Sequence, residues 1–399
     1  MAEYLYPGVY VEEVPPLARP IVGVGTSTAG FIGVVMDDVE MPLKPSSTSD
    51  HFTVSPVDEP QLITGWEQFK NTFGDFQSQK KGTEGGATGW SDADYKAYLQ
   101  LQHAVYGFFN NGGTCCYVVR INSSNELDNL ADPLLKFEPI DDIAMVVVPG
   151  ATKTAQQNAI IGHCENMKDR VAILDGNQTT TFTVDAIKSA PDSKYAALYF
   201  PWIKVLDPVS KKNTSQPPSG HLAGVYARVD AERGVYKAPA NEIIRGAVDL
   251  DSKLSSNDQK VLNPKGINVI RSFNGNFNIW GARTLGGDDN GEYKYISTRR
   301  YFNFLRKSIE QGTQFVVFEP NSSALWQRIT RTVSDFLLRQ WRDGALFGDT
   351  AKQAFYVKCD KDTNPPEVRE AGQVVTEIGV AIVKPAEFVI FRIQQTTGE

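Results

Sequence analysis

Little in this sequence points to a reaction. Only four cysteines occur in 399 residues: Cys115, Cys116, Cys164 and Cys359. Adjacent residues such as Cys115 and Cys116 alternate faces of a strand and rarely bond each other, so reduced, buried thiols are expected. No CxxC accompanies them. His51, His103, His163 and His221 form neither HxxxH nor HExxH, so the common zinc patterns are excluded. No GxSxG supports a nucleophilic serine. No run of about 18 apolar residues occurs, so neither a transmembrane helix nor direct membrane insertion is expected. The opening MAEYLYPGVYVEEV lacks a basic region and a long apolar core, so it does not read as a secretory signal. Positive charge is outnumbered, with 40 Lys and Arg against 47 Asp and Glu. A formal net charge of -7 argues against a nucleic-acid partner.

Two stretches imitate ligand loops and fail on spacing. Gly23-Val-Gly25-Thr-Ser-Thr-Ala-Gly30 has Thr28 where GxGxxG needs glycine. Counted from Gly25 as a phosphate loop, it has Phe31 and Ile32 where lysine and Ser/Thr belong. A tight turn into a following strand is the plainer reading. Asp288-Asp-Asn-Gly291-Glu292 resembles part of a calcium loop, but the twelfth position is Arg299 where a glutamate is needed. A hydrated surface loop is expected. His103 sits on the apolar stripe of its helix, as a core histidine does. No catalytic, cofactor-binding or metal-binding set emerges, and the chain does not read as an enzyme.

What is present is architecture. The length suggests two or three domains. The apolar share of 41% and charged share of 22% are those of a soluble globular protein. Residues 4 to 14 alternate, with Tyr4, Tyr6 and Tyr10 on one side and Leu5, Val9 and Val11 on the other. Pro7 limits this stretch to an edge strand, and Pro15, Pro16 and Pro20 make an extended leash after it. Such an arm is not stable alone. From residue 21 to about 260, strands alternate with helices, which implies a mostly parallel sheet. Strands are expected at Ala29–Val35, Cys115–Ile121, Ile143–Val148, Val171–Leu174 and Ala196–Phe200. Helices are expected at Trp66–Phe73, from Asp92 as N-cap to Phe109, at Ala155–Cys164, Val184–Ala190 and Ser219–Arg233.

Lys260 to Pro264 reads as a boundary, followed by an α+β block. That block has strands at Ile267–Phe273 and Phe277–Ala282, a helix capped by Ser297, a short core strand at Phe315–Phe318, and a long helix from Ser323 to about Ala345. Along that helix Arg328, Arg331, Arg339 and Arg342 share an arc of about 80° at ~100° per residue. This stripe is either a solvated face or a contact with an acidic partner, since arginine forms forked bonds to carboxylates. The chain closes with Val374–Ile393, read as two strands joined at Lys384-Pro385-Ala386. Val374, Thr376, Ile378, Val380 and Ile382 are β-branched and share one face. Phe388 and Ile390 lie in the second strand, which is apolar on both faces. These strands need cover, and the N-terminal arm is the only other segment of similar character without a local partner.

At this point the chain resembles the tail sheath proteins of contractile phage tails and of phage-tail-like contractile injection systems. The resemblance is carried by YPGVYVEEVP at 6 to 15, GVGTSTAGFIG at 23 to 33, and the region from residue 264 on: PKGINVIRSF, NIWGARTL, YISTRRYFNFLRKSIEQGTQFVVFEPN and LWQRITRTVSDFLLRQWRDGALFG. It implies α/β plus α+β architecture, with an outer α/β domain (21–261) inserted between an N-terminal strand arm (1–20) and an inner α+β sheath domain (262–399). It implies a structural subunit without cofactors that forms a helical homo-oligomer of six-subunit rings. The implied partners are an inner tube protein and baseplate and tail-terminator proteins, with assembly in the bacterial cytoplasm. Contraction of the sleeve would drive the tube through a target envelope. Strand arms of different copies would pair, through Tyr4, Tyr6, Val9, Tyr10 and Val11 on one side and the closing strands on the other. As an expectation, Arg328, Arg331, Arg339 and Arg342 would face the tube. The competing readings are a baseplate or sheath-terminating component, and an α/β enzyme binding a phosphate-bearing ligand at Gly23 to Gly30.

Overall fold

A computed structural model describes residues 20–45, 47–76 and 90–392. The expected arm strand, Tyr4 to Val14, lies outside the described residues, as does most of the Gln77–Ser91 loop. Contacts divide the chain into two units. The larger holds Val24–Lys307 and the chain from Val383 on; the smaller holds the stretch up to Gly23 and Ser308–Ile382.

In the larger unit, short, largely apolar runs form strands β1 (Ala29–Val34), β2 (Gln61–Ile63), β3 (Cys116–Ile121), β4 (Met145–Val147), β5 (Val171–Asp175) and β6 (Ala196–Phe200). Three more, β7 (Ile203–Leu206), β8 (Asn213–Gln216) and β9 (Ala247–Leu250), make a small antiparallel sheet in the order β8-β7-β9. They are followed by β10 (Ile267–Phe273) and β11 (Asn276–Ile279). Among the described residues, eight strands form one sheet in the order β11-β10-β6-β5-β4-β1-β3-β2. The middle of it, from β10 to β3, is parallel; β11 and β2 close its edges antiparallel. Strands β1, β5 and β6 are buried along their whole length. That explains why they read as continuous apolar runs and not as alternation.

The helices of this unit are α1 (Trp66–Phe73), α2 (Asp92–Asn110), the short α3 (Ala131–Leu135), α4 (Thr154–Met167), the short α5 (Val184–Ile187), α6 (Ser219–Arg233), α7 (Ser256–Leu262) and α8 (Ile296–Gly312). Ser91, not Asp92, caps α2. Its hydroxyl accepts from the Asp94 amide at 3.0 Å in a capping box. The deepest face of α2 is Tyr98, Leu101, Ala104, Val105 and Phe108, beside the stripe Tyr95, Leu99, His103, Tyr106 and Phe109 that helical spacing alone predicts. The shift has a cause: α2 packs against both β1 and α6. Glycine permits the second contact, since a Cβ on Gly224 would lie 2.3 Å from the Phe108 carbonyl oxygen.

The expected boundary at 261/262 does not interrupt this unit. Asn263–Lys265 makes a single 3₁₀ turn, and Gly266 redirects the chain at φ 76. The next residues then pair β10 in parallel with β6, through Ile267 with Leu198 and Val269 with Phe200. The contact division instead falls between Lys307 and Ser308, inside α8.

In the smaller unit, α9 (Ser323–Arg342) starts at Ser322, whose hydroxyl accepts from the Leu325 amide at 3.4 Å. Leu325, Trp326, Ile329, Val333, Phe336 and Leu337 form its buried face. After it come α10 (Ala351–Ala354), β12 (Phe355–Lys358), α11 (Pro366–Glu370) and β13 (Glu377–Val380). The short core strand expected at Phe315–Phe318 does not form. Gln314–Val316 is a 3₁₀ turn, and Phe318 is fully exposed at φ 65. The cause is Arg328 of α9, which lies over the Phe315 ring at 4.8 Å and pairs with Glu319 at 3.4 Å. Those contacts hold the stretch against the helix.

Candidate assembly surfaces

The ligand-loop imitations resolve first. Gly23 to Gly30 leads into the N-terminal end of β1, whereas open parallel sheets bind ligands at the carboxyl ends of their strands. The loop is held from within. Thr26 donates its hydroxyl to Asp230 at 2.6 Å, and its carbonyl accepts from Arg300 at 3.0 Å. Arg300 and Asp230 form a forked pair at 2.9 and 2.5 Å with both side chains buried. At the carboxyl end of β5, the Asp175 carboxylate takes the helix N-terminus of α6. It accepts from the Ser219 amide at 2.9 Å, the Ser219 hydroxyl at 2.7 Å and the Gly150 amide at 3.0 Å. Burial pushes its pKa up to about 6. In the calcium-like stretch, Asp288 pairs with Lys294 at 2.7 Å and Arg283 at 3.1 Å, and Asp289 pairs with Lys265 at 2.9 Å. His103 is buried 3.3 Å from Asp207, and burial holds its pKa down. Among the described residues, no three His, Cys, Asp or Glu side chains are grouped to hold a metal, and no helix is long and apolar enough to cross a membrane.

The closing stretch behaves differently. Strand β13 pairs antiparallel with β12: Phe355 with Val380, Tyr356 with Gly379, Val357 with Ile378 and Lys358 with Glu377. Among the described residues this sheet has two strands only. A two-stranded ladder is marginal alone. It is tied down at both ends of β13. Buried Asn364 accepts from the Val375 amide at 2.7 Å and donates to the Val375 carbonyl at 3.0 Å. At the other end Ile382 bridges to Leu346, and the Phe347 amide donates to the Ala381 carbonyl at 2.7 Å. The β-branched face of Val374, Thr376, Ile378, Val380 and Ile382 is half-buried, while Val375 and Glu377 are exposed. Gly379 lacks a side chain for a reason: a Cβ there would lie 2.1 Å from the Tyr356 ring, which covers it from the facing strand.

The second expected strand, beginning at Glu387, finds no strand partner among the described residues. Its Phe388, Val389, Ile390 and Phe391 are 69–84% exposed. A run of four large apolar side chains at such exposure marks an interaction surface or an aggregation hazard. The β12–β13 ladder offers unpaired backbone groups of the kind that recruit another strand.

The arginine stripe of α9 divides. Arg331, Arg339 and Arg342 are exposed. Arg328 is half-buried in the loop contacts described above. Arg339 donates to the Ile21 carbonyl at 2.8 Å. Ile21 is buried, and its side chain fills the space that a Cβ on Gly312 would take, 2.5 Å away. Arg339 and Gly312 thus hold Ile21 in place. Sequence reasoning grouped four arginines by angle alone. The signal that separates them is the short-range chemistry beside each: Phe315 and Glu319 for Arg328, Gly312 for Arg339.

Comparison with known proteins agrees in direction. A family model for the phage tail sheath protein central domain matches residues 131–285, and one for the phage tail sheath C-terminal domain matches residues 288–396. A putative prophage major tail sheath protein of Pseudomonas aeruginosa is 26% identical over 259 residues, 63% of this chain and 64% of that one. The tail sheath protein of Burkholderia phage BcepMu is 26% identical over 208 residues, 50% of this chain and 42% of that one. This chain therefore spans less than two-thirds of the length of these curated relatives. Solved structures align over nearly everything. The sheath of the extracellular contractile injection system PVC in its contracted state has a TM-score of 0.76 at 29% identity, covering 99% of both chains. The contracted helical sheath of the anti-feeding prophage has 0.74 at 28%, covering 98% of this chain and 99% of that one. A chain of the anti-feeding prophage baseplate, 6-fold symmetrised, has 0.73 at 28%.

Proposed function

The chain belongs to the phage tail sheath family, and from that premise we propose that it is a structural subunit that polymerises around an inner tube and contracts to drive that tube through a target envelope. Copies stack as six-subunit rings in a helical sleeve, joined by strands exchanged between copies. The observation that carries this reading is the β12–β13 ladder, which has two strands among the described residues and lies in the same chain as the exposed apolar run Phe388–Phe391. Strand addition to an open ladder supplies backbone hydrogen bonds as affinity and alternate side chains as specificity. The N-terminal arm, through Tyr4, Tyr6, Val9, Tyr10 and Val11, and the closing strand, through Phe388 and Ile390, are the donors. A strand of one copy on the ladder of the next is a head-to-tail contact, which generates open helical assemblies. The chain acts without catalysis or cofactor, and the particle is built in the bacterial cytoplasm.

Arg331 and Arg342 are the tube-facing residues in this reading, with Arg328 and Arg339 holding the loop and the arm root beside them. A second reading is a baseplate or terminating component that stops at one ring; a chain of similar fold occurs in the structure of the anti-feeding prophage baseplate. Size-exclusion chromatography with negative-stain microscopy tests both. Long striated cylinders are expected from the full chain, and none from a chain lacking residues 1 to 14. Single rings would favour the second reading, and a discrete monomer at all concentrations would contradict both.

A further inference from the structure

Between Val383 and Arg392, every hydrogen bond and ion pair described runs through one side chain, Glu387. Four donors converge on its carboxylate. Arg283 Nε and Asn263 Nδ2 donate to Oε1, and Arg283 Nη2 and Tyr295 Oη donate to Oε2, each at 2.8 Å. Lys294 Nζ stands 3.8 Å away. An exposed ion pair is worth little, but a forked guanidinium–carboxylate pair with two further donors is directional and strong.

The socket is built into the central sheet. Arg283 is buried and is also held by the Asn263 carbonyl at 3.1 Å and by Asp288 at 3.1 Å. Its backbone amide donates to Asn268 Oδ1 at 2.7 Å, and Asn268 Nδ2 donates to the Arg283 carbonyl at 2.8 Å and to the Leu198 carbonyl of β6 at 3.2 Å. Asn268 lies on β10. A continuous polar chain therefore runs from Glu387 through Arg283 and Asn268 into β6 and β10. Beside the closing segment lies a groove of about 1150 Å³ lined by Tyr236, Arg271, Trp280, Val383 and Phe388. The segment is held at a point and not packed along its length.

We propose that the Arg283–Asn263–Tyr295 socket is a root lock for the closing strand arm: by gripping Glu387 it fixes where Phe388–Phe391 leaves the body, sets the register in which that strand meets another copy, and carries load from the joint into the parallel sheet. This rests on the reading that Phe388–Phe391 pairs with another copy. Locking the root pre-organises the arm and removes part of the ordering cost from association. It also makes body and joint move together, because tension on the arm reaches β10 directly. Glu387 acts here as a positioning residue; the contact with the neighbour belongs to the residues after it.

The test compares the full chain, Glu387→Gln, Tyr295→Phe, and a chain ending at Glu387 that keeps the lock but lacks the strand. Each is measured for its denaturation midpoint, for chymotryptic cleavage after Phe388 and Phe391, and for sleeve yield by sedimentation and negative stain. Glu387→Gln is expected to lower the midpoint only slightly, to be cleaved at least about tenfold faster, because the amide nitrogen accepts neither of the two hydrogen bonds that one carboxylate oxygen takes, and to give few or irregular sleeves. Tyr295→Phe should fall between it and the full chain. The truncated chain should give none. If Glu387→Gln and Tyr295→Phe are cleaved and assemble like the full chain while the truncated chain fails, the lock is overturned and the strand-pairing reading stands. If the truncated chain assembles normally, strand pairing through this arm is wrong and the lock falls with it.

Discussion

In the larger unit, β1 is hydrogen-bonded on both sides, by β3 and β4, and all of its residues are buried. In the smaller unit, β13 is bonded on one side, by β12, and its residues are exposed or half-buried. Both are β-branched, apolar stretches of similar propensity. The difference is neighbourhood. β1 has α2 and two flanking strands from its own chain, while β13 has one strand and tethers from Asn364 and Leu346. A strand flanked on both sides serves the subunit fold; in the proposed reading, a strand with a free side joins the subunit to another copy. Propensity is the same language in both, and completion of the edge decides which outcome follows.

The largest effect that should separate the two sheets is proline at Val380. Proline removes a backbone donor and clashes in a ladder. Val380→Pro should abolish sleeves in negative stain while leaving the melting transition of the larger unit unchanged. The converse is Arg300→Met, which strikes the closed body. It leaves Asp230 buried and unpaired and should cost about 3–5 kcal/mol in chemical denaturation.

A smaller effect follows from Asp175. Its pKa is about 6 in the folded chain against an ordinary 3.8. Between those values the native state keeps a proton that the unfolded state has released. Stability from this group is therefore present below the ordinary value and falls as pH rises through about 6. The unfolding free energy from urea titrations across that window should decline, by at most about 3 kcal/mol, and Asp175→Asn should flatten the decline. The smallest structural effect is expected at Arg331. Charge reversal there should change fold stability by under about 0.5 kcal/mol while lowering co-purification with the tube protein. Arg339→Glu should cost more, because it releases the Ile21 carbonyl.

Much of the closed body was legible in the sequence because local signals and tertiary contacts agree there. Helix α6 runs Ser219–Arg233 and strand β10 runs Ile267–Phe273, both as their patterns indicate. The errors fall where long-range contacts override local pattern. Phe315–Phe318 looks like a strand until Arg328 stacks on it. Lys260–Pro264 looks like a domain edge until β10 joins β6. In the candidate site, the β-branched face of Val374–Ile382 was visible as a period-two run, and Phe388–Phe391 as a stretch apolar on both faces. The Glu387 socket was not, because Asn263, Arg283 and Tyr295 are distant in sequence from the carboxylate they hold. One charge at the start of an apolar run was the only trace of it.

Hydrogen exchange followed from monomer to sleeve tests the open ladder most directly. Amides of β13 and of Phe388–Phe391 should gain at least about tenfold protection on assembly, while those of β5 and β6 stay as they were. Equal protection of β13 in both states, with sleeves visible in the same sample, would contradict the claim that another copy completes this sheet.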